Sequence, residues 1–159
     1  MKKIITLTGH KHCQKDIVAY MLDTYNNGFV TWVKPYTDAP LNLGEFSEEN
    51  GGYTYLSKEE LDFEIKNKNV LSITKVNNHR YVYFEEQMTN EWNVIIADDI
   101  TVINAKEKWK DNVTSVKIVS ESEEKSDRVN QYLFDHEFDF IFDVENDCFD
   151  DLERELIWA

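Results

Sequence analysis

Long apolar runs are missing from this chain. Nothing approaches the roughly 18 consecutive apolar residues that a membrane span requires, so no transmembrane helix is expected. Cysteine is scarce: Cys13 and Cys148 form no spacing pattern and fit a reducing cytosol. Basic residues are few, with 17 Lys and Arg against 31 Asp and Glu and a net charge of −14. Affinity for nucleic-acid phosphates comes mainly from Lys and Arg, so no direct binding to free nucleic acid is expected. Internal repeats and low-complexity tracts are also lacking. The opening MKKIITLTGH has two lysines but too short an apolar stretch for a signal peptide, and it reads as a first strand.

What is present suffices for a core. Hydrophobic residues make up 42% and aromatics 13% of 159 residues, which argues for one folded domain rather than disorder. The negative charge is uneven. From Ser120 onward there are 14 acidic residues against three basic ones (Lys125, Arg128 and Arg154), so a difference of 11 charges falls in the last quarter. Such a stretch is either a solvated face that keeps the protein soluble or a surface that recognises a basic partner.

The stretch TGHKHCQKD, residues 8–16, follows the β-rich run KIITLT and precedes KDIVAYMLDTY. The latter has apolar residues at 17, 18, 21, 22 and 25, a spacing that predicts one stripe on a helix. Strand, loop and helix are the context of a phosphate-binding loop, G-x-x-x-x-G-K-[ST]. Gly9 and Lys15 keep its spacing, whereas Gln14 replaces the second glycine and Asp16 the hydroxyl residue. If the loop is active, Lys15 is the catalytic lysine across the phosphates of ATP and Asp16 a direct ligand of Mg²⁺. Otherwise the stretch is a polar turn with a solvated lysine. A zinc site built on His10, His12 and Cys13 lacks a second ligand cluster, because His79, His136 and Cys148 are scattered. Cys13 has no His–acid pair at a spacing suited to a nucleophile.

Further along, FVTWV (29–33) reads as a strand, 38–52 as a loop, and SKEEL as a helix start with a Ser57–Glu60 capping box. VLSITKV (70–76) and RYVYF (80–84) predict a hairpin, and WNVIIA (92–97) a buried parallel strand. TVINAKEKWK reads as a helix, VTSVKIV (113–119) as a strand, and 122–135 as mostly helix. FDFIF (138–142) is a last strand and CFDDLERELIW a closing helix. Alternating strands and helices imply an α/β fold with a mainly parallel sheet flanked by helices and a small inserted β-rich subdomain. Most of the aromatics at 29, 32, 53, 55, 81, 83 and 84 are expected in that subdomain's core and cross-strand pairs.

In this order the segments GGYTYLSKEEL, HRYVY, NVIIADD and FDFIFDVENDCFDDLERELI resemble guanylate kinases along nearly the whole chain. The resemblance implies a P-loop core at 1–28 and 85–159, a reduced lid at about 120–135, and a β-rich nucleotide-monophosphate-binding-like subdomain at 29–84. It also implies nucleotide-binding roles for Gly9, Lys15, Asp16, Tyr53, Ser72, Tyr81, Asp99 and Arg128. Three parts depart from the family. KPYTDAPLN stands where the family grounds the GMP phosphate with arginines, leaving Asp38 and Leu41 or Asn42 there. Ser72 falls near the guanine-reading glutamate, and SESEEKSDRVNQ near the arginine-rich lid. An aspartate repels a phosphate that a guanidinium would clasp.

These departures lead to the expectation of a catalytically degenerate guanylate-kinase-like protein that binds another protein through its cleft or its acidic face. An active (deoxy)nucleoside monophosphate kinase with an unusual loop stays open as an alternative, because Gly-Lys-Asp endings occur in phage deoxynucleoside monophosphate kinases. So does an acidic mimic of nucleic acid that occupies a host protein. The small size and the Lys, Asn, Asp and Glu content suit a phage of a low-GC host, and with it a place in the host cytoplasm.

Overall fold

In the computed structural model, which describes residues 2–10, 13–26, 28–40, 53–120 and 132–158, KIITLT forms strand β1 (Lys3–Thr8), buried at every position but the first. Helix α1 (Lys15–Tyr25) leads to β2 (Val30–Trp32). There follow β3 (Tyr36–Thr37), β4 (Thr54–Tyr55), helix α2 (Lys58–Asn67), β5 (Val70–Val76) and β6 (His79–Phe84). The chain then runs through β7 (Trp92–Ile96), α3 (Asp99–Trp109), β8 (Val113–Val119) and β9 (Phe140–Asp143) to α4 (Phe149–Glu153), which continues as a π-helical turn, Arg154–Trp158. Among the described residues no helix is long and apolar enough to cross a membrane.

Two compact units result. The first comprises Met1–Trp32 and Thr89–Ala159, the second Val33–Met88. In the first, five strands pair in the order β2-β7-β1-β8-β9, all parallel. Beyond β1 the chain leaves toward β2, and beyond β8 toward β9, in opposite directions. The carboxyl ends of β1 and β8 therefore mark a topological switch point, where open α/β sheets bind ligands. Val30–Trp32 pair with β7 in this sheet, so the inserted unit begins after the strand read from FVTWV.

One face of the sheet is apolar. Ile5, Leu7, Val94, Val116 and Ile118 pack against Val18, Ala19 and Leu22 of α1 and Leu152 and Leu156 of the closing helix. Each fully buried Val, Leu or Ile stabilises by roughly 1.5–3 kcal/mol. The buried stripe of α1 is rotated from the spacing read in the sequence. Small Ala19 lets the helix lie close to the sheet, and Ile17 and Tyr25 are left exposed. The other face carries buried polar residues, including Thr6, Asn93 and Ser115. Helix α3 starts with a cap: Asp98 Oδ1 accepts from the Thr101 N–H at 2.8 Å and from its hydroxyl at 2.6 Å.

The last strand starts two residues later than FDFIF suggests. Asp139, ahead of it, accepts from the Ser115 N–H at 2.8 Å and from Lys106 Nζ at 3.1 Å, fastening the entry of β9 to β8 and α3. Most of the helix predicted at 122–135 lies outside the described residues. Its end is not helical: 132–134 are irregular and Asp135–Glu137 form a single 3-10 turn.

The second unit is a sheet of order β4-β3-β6-β5 with α2 on one face. Asn77 and Asn78 turn the β5–β6 hairpin at φ values of 52° and 67°, in the left-handed region that the favoured two-residue turns require. The Ser57 hydroxyl accepts from the Glu60 N–H and the Glu60 carboxylate from the Ser57 N–H, a closed capping box. Leu61 packs on Val82 and Phe84, and Tyr36 meets Phe84 edge-on with ring centroids 4.9 Å apart.

Candidate functional site

The loop between β1 and α1 follows the central strand at the switch point. Gly9 is obligatory for packing: a Cβ there would lie 2.4 Å from Cys13 Sγ and 2.6 Å from the Ile118 carbonyl oxygen. The loop therefore touches the end of β8 through backbone. Gln14, at the position of the motif's second glycine, takes φ 65° and ψ 25°. The backbone keeps a glycine-like conformation although the residue is not glycine. Lys15 opens the helix and its Nζ donates to the His10 carbonyl at 3.0 Å, so the ammonium lies over the loop. Asp16 stands in the first helical turn, where a carboxylate complements the helix dipole.

Two further residues of the loop, His10 and Cys13, are inward. His10 is fully buried and its Nε2 lies 3.2 Å from Ser120 Oγ, joining the loops that follow β1 and β8. Cys13 is buried too. Burial pushes its thiol above the ordinary value, with Lys15 pulling the other way, which disfavours a nucleophilic thiolate. His12 lies outside the described residues, and among those described no three His, Cys, Asp or Glu side chains gather as a metal-binding group.

Asp99 begins α3 and is completely buried. Its Oδ2 accepts the backbone N–H groups of Tyr132 and Leu133, both at 2.6 Å. The carboxylate thus anchors the chain where it returns from 121–131, a role not legible from the sequence. Arg128 lies outside the described residues.

In the second unit Ser72 and Tyr81 share one face of the hairpin, since the register pairs Ser72 with Tyr83 and Thr74 with Tyr81. Tyr53 joins them: its ring stacks on Tyr55 with centroids 6.1 Å apart and meets Tyr81 edge-on at 6.2 Å. The structure therefore brings Tyr53 and Tyr81 together. Arg80 projects to the other face, toward α2. Its Nε donates to Asp38 Oδ2 at 2.9 Å, its Nη1 to Asp62 Oδ1 at 2.6 Å and its Nη2 to the Lys58 carbonyl at 3.2 Å, while its N–H donates to Asp38 Oδ1 at 2.8 Å. Burial acts to raise the Asp38 pKa, but the Arg80 N–H and guanidinium outweigh it and hold the carboxyl below its ordinary range. Asp38 is thus a structural partner of Arg80, which is the one arginine between Val33 and Met88. That uniqueness was the available sequence signal, and it points to Arg80 only once the strand register is known.

The chain thus combines a parallel sheet, with this loop at its switch point, and a second unit built on an antiparallel hairpin. No family model and no curated protein matches the chain. Among solved structures, the guanylate kinase from Anaplasma phagocytophilum is similar over 98% of this chain and 82% of its own, with a TM-score of 0.70 at 14% sequence identity. The fold is guanylate-kinase-like.

Proposed function

We propose that the chain is a guanylate-kinase-like protein that lacks guanylate kinase activity and acts by binding another protein. The observation that carries this reading is the Asp38–Arg80–Asp62 lock. The unit that would receive the acceptor nucleotide has one guanidinium, and two carboxylates engage it on the face opposite Tyr53, Ser72 and Tyr81. A hydrogen bond to a charged group contributes roughly 1.5–3 kcal/mol, so the loss of two phosphate-binding arginines weakens GMP binding by about a factor of hundreds or more. A coupled assay with ATP, Mg²⁺ and GMP is expected to show no turnover. A rate near or above roughly 1 s⁻¹, the low end of ordinary enzymes, would refute the proposal.

A second reading draws on the donor side. Gln14 holds a glycine-like backbone and Lys15 lies over the loop, so this frame favours retained binding of a nucleoside triphosphate with its Mg²⁺ held through Asp16. Calorimetric titration with ATP and GTP, with and without Mg²⁺, and then with each of the four common monophosphates, separates the two. Triphosphate binding with no monophosphate binding leaves the first reading in place. Tight binding of any monophosphate moves the assignment to an active kinase.

A further inference from the structure

At the end of the five-stranded sheet opposite the phosphate loop, the chain leaves a cleft of about 620 Å³. It lies where α3 ends and β8 and β9 begin, within the first unit alone. That volume is in the range of small-molecule sites, roughly 300–1,000 Å³. Val113 and Phe140 give the cleft an apolar lining, and Lys106 with Asp139 a closed ion pair at 3.1 Å. Lys110, Asp111 and Thr114 line it as well. Among the described residues, the side chains of these three have no hydrogen-bond or ion-pair partner.

Lys110 is also strained. Its φ of 52° and ψ of −123° match the first central position of a type II′ turn, which glycine normally takes. A glycine there would let the chain leave α3 without strain. Residues held in sparsely populated conformations cluster at ligand clamps, and here the strained residue brings an ammonium to the lip of a cleft.

Charges around the cleft balance, with two ammoniums (Lys106 and Lys110) against two carboxylates (Asp111 and Asp139), although the chain as a whole carries −14. A purely anionic ligand would meet the carboxylates, and a purely cationic one the ammoniums. A neutral ligand would desolvate Lys110 and Asp111 and leave both without a partner. Balance therefore selects a ligand that carries both signs.

We infer that this cleft binds a small zwitterion with an apolar body, of the amino-acid or dipeptide class. Its carboxylate lies on Lys110 and its apolar body on Val113 and Phe140. Its ammonium lies on Asp111 beside the carboxyl end of α3, where the last helical carbonyls add partial negative charge. The site uses no residue of the phosphate loop or of the hairpin unit, so it stands apart from the proposed function.

Isothermal titration calorimetry of the full chain with the dipeptide leucyl-phenylalanine, its N-acetyl form and its C-terminal amide tests this. Each derivative lacks one of the two charges and is expected to bind at least about tenfold more weakly than the dipeptide. Lys110→Gln is expected to bring the dipeptide down to the level of its amide, and Asp111→Asn to the level of its N-acetyl form. Lys110→Gly separates site from fold. Relief of the strained turn should raise the urea midpoint, while dipeptide binding falls by about tenfold or more. No binding up to roughly 1 mM dipeptide would overturn the inference, as would equal binding of the three compounds or undiminished binding by Lys110→Gln.

Discussion

At Gly9 an added methyl group has no room, because Cys13 Sγ and the Ile118 carbonyl already stand where it would go. Gly9→Ala is expected to destabilise by about 1–3 kcal/mol, the usual cost of forcing atoms into a packed site. Cys13→Ala in the same chain should restore part of that, since the Ile118 backbone stays. Five residues on, a missing glycine strains the backbone instead. Gln14 holds φ 65° without a glycine, a conformation that costs an L-residue about 1–2 kcal/mol, so Gln14→Gly should raise stability by up to about 1 kcal/mol. Urea unfolding of the three variants checks both. Asp38 offers a pH test. Its carboxyl titrates lower in the folded state than the unfolded value of about 3.9. Its contribution is therefore complete above about pH 4 and is lost as pH falls through the lower, folded value. Wild type should be more stable than Asp38→Asn at pH 7, and the gap should shrink on acidification. An unchanged gap would remove the Asp38–Arg80 pair as its source.

Elements in this chain are set by side chains at their ends more than by propensity within them. Ser57 and Glu60 close the start of α2, and Asp98 caps α3. The β5–β6 hairpin turns on two asparagines at positive φ, a conformation that asparagine tolerates and glycine prefers. Asn78→Gly is expected to stabilise the hairpin by a few tenths of a kcal/mol to about 1 kcal/mol, while a β-branched residue such as Val there should destabilise it by more. Thermal unfolding monitored by circular dichroism decides between them. Acidic residues of the last quarter hold turns and strand entries in the same way. Asp143 accepts the Glu145 N–H at 2.9 Å and Asn146 Nδ2 at 2.8 Å, Glu137 accepts the Phe134 N–H at 2.8 Å, and Asp135 pairs with Lys117 at 2.5 Å. Among the described residues, several acids of the last quarter thus serve turns and strand entries, while Asp150, Asp151 and Glu155 stand exposed on the closing helix.

Over the whole molecule, 31 acidic residues against 17 basic ones leave a self-repelling surface. Net charge of this size destabilises the compact state, and salt relieves it by screening. The melting temperature is expected to rise as NaCl increases from about 0.1 M to about 1 M, even though exposed ion pairs such as Arg154–Asp151 weaken in the same range. A melting temperature that falls would mean that ion pairs outweigh the net repulsion.

Along the chain, the pattern of residues determined the α/β class, the parallel core strands, the hairpin, the capping box and the strand–loop–helix setting of Gly9 and Lys15. Each of these is encoded locally, by periodicity, by a cap or by a turn residue, and so is visible one segment at a time. Tertiary structure decided the rest. Which three residues of α1 meet the sheet depends on how closely Ala19 lets the helix approach. The partner of Asp38 is set by strand register across 42 residues, and Arg80 faces α2 because strand side chains alternate. Asp99, a candidate site acid in the sequence, also anchors Tyr132 and Leu133, a contact that no spacing could disclose. The physical reason is the same throughout: a carboxylate carries no sign of whether it will face water, a phosphate or a distant backbone N–H until the fold brings one of them within reach.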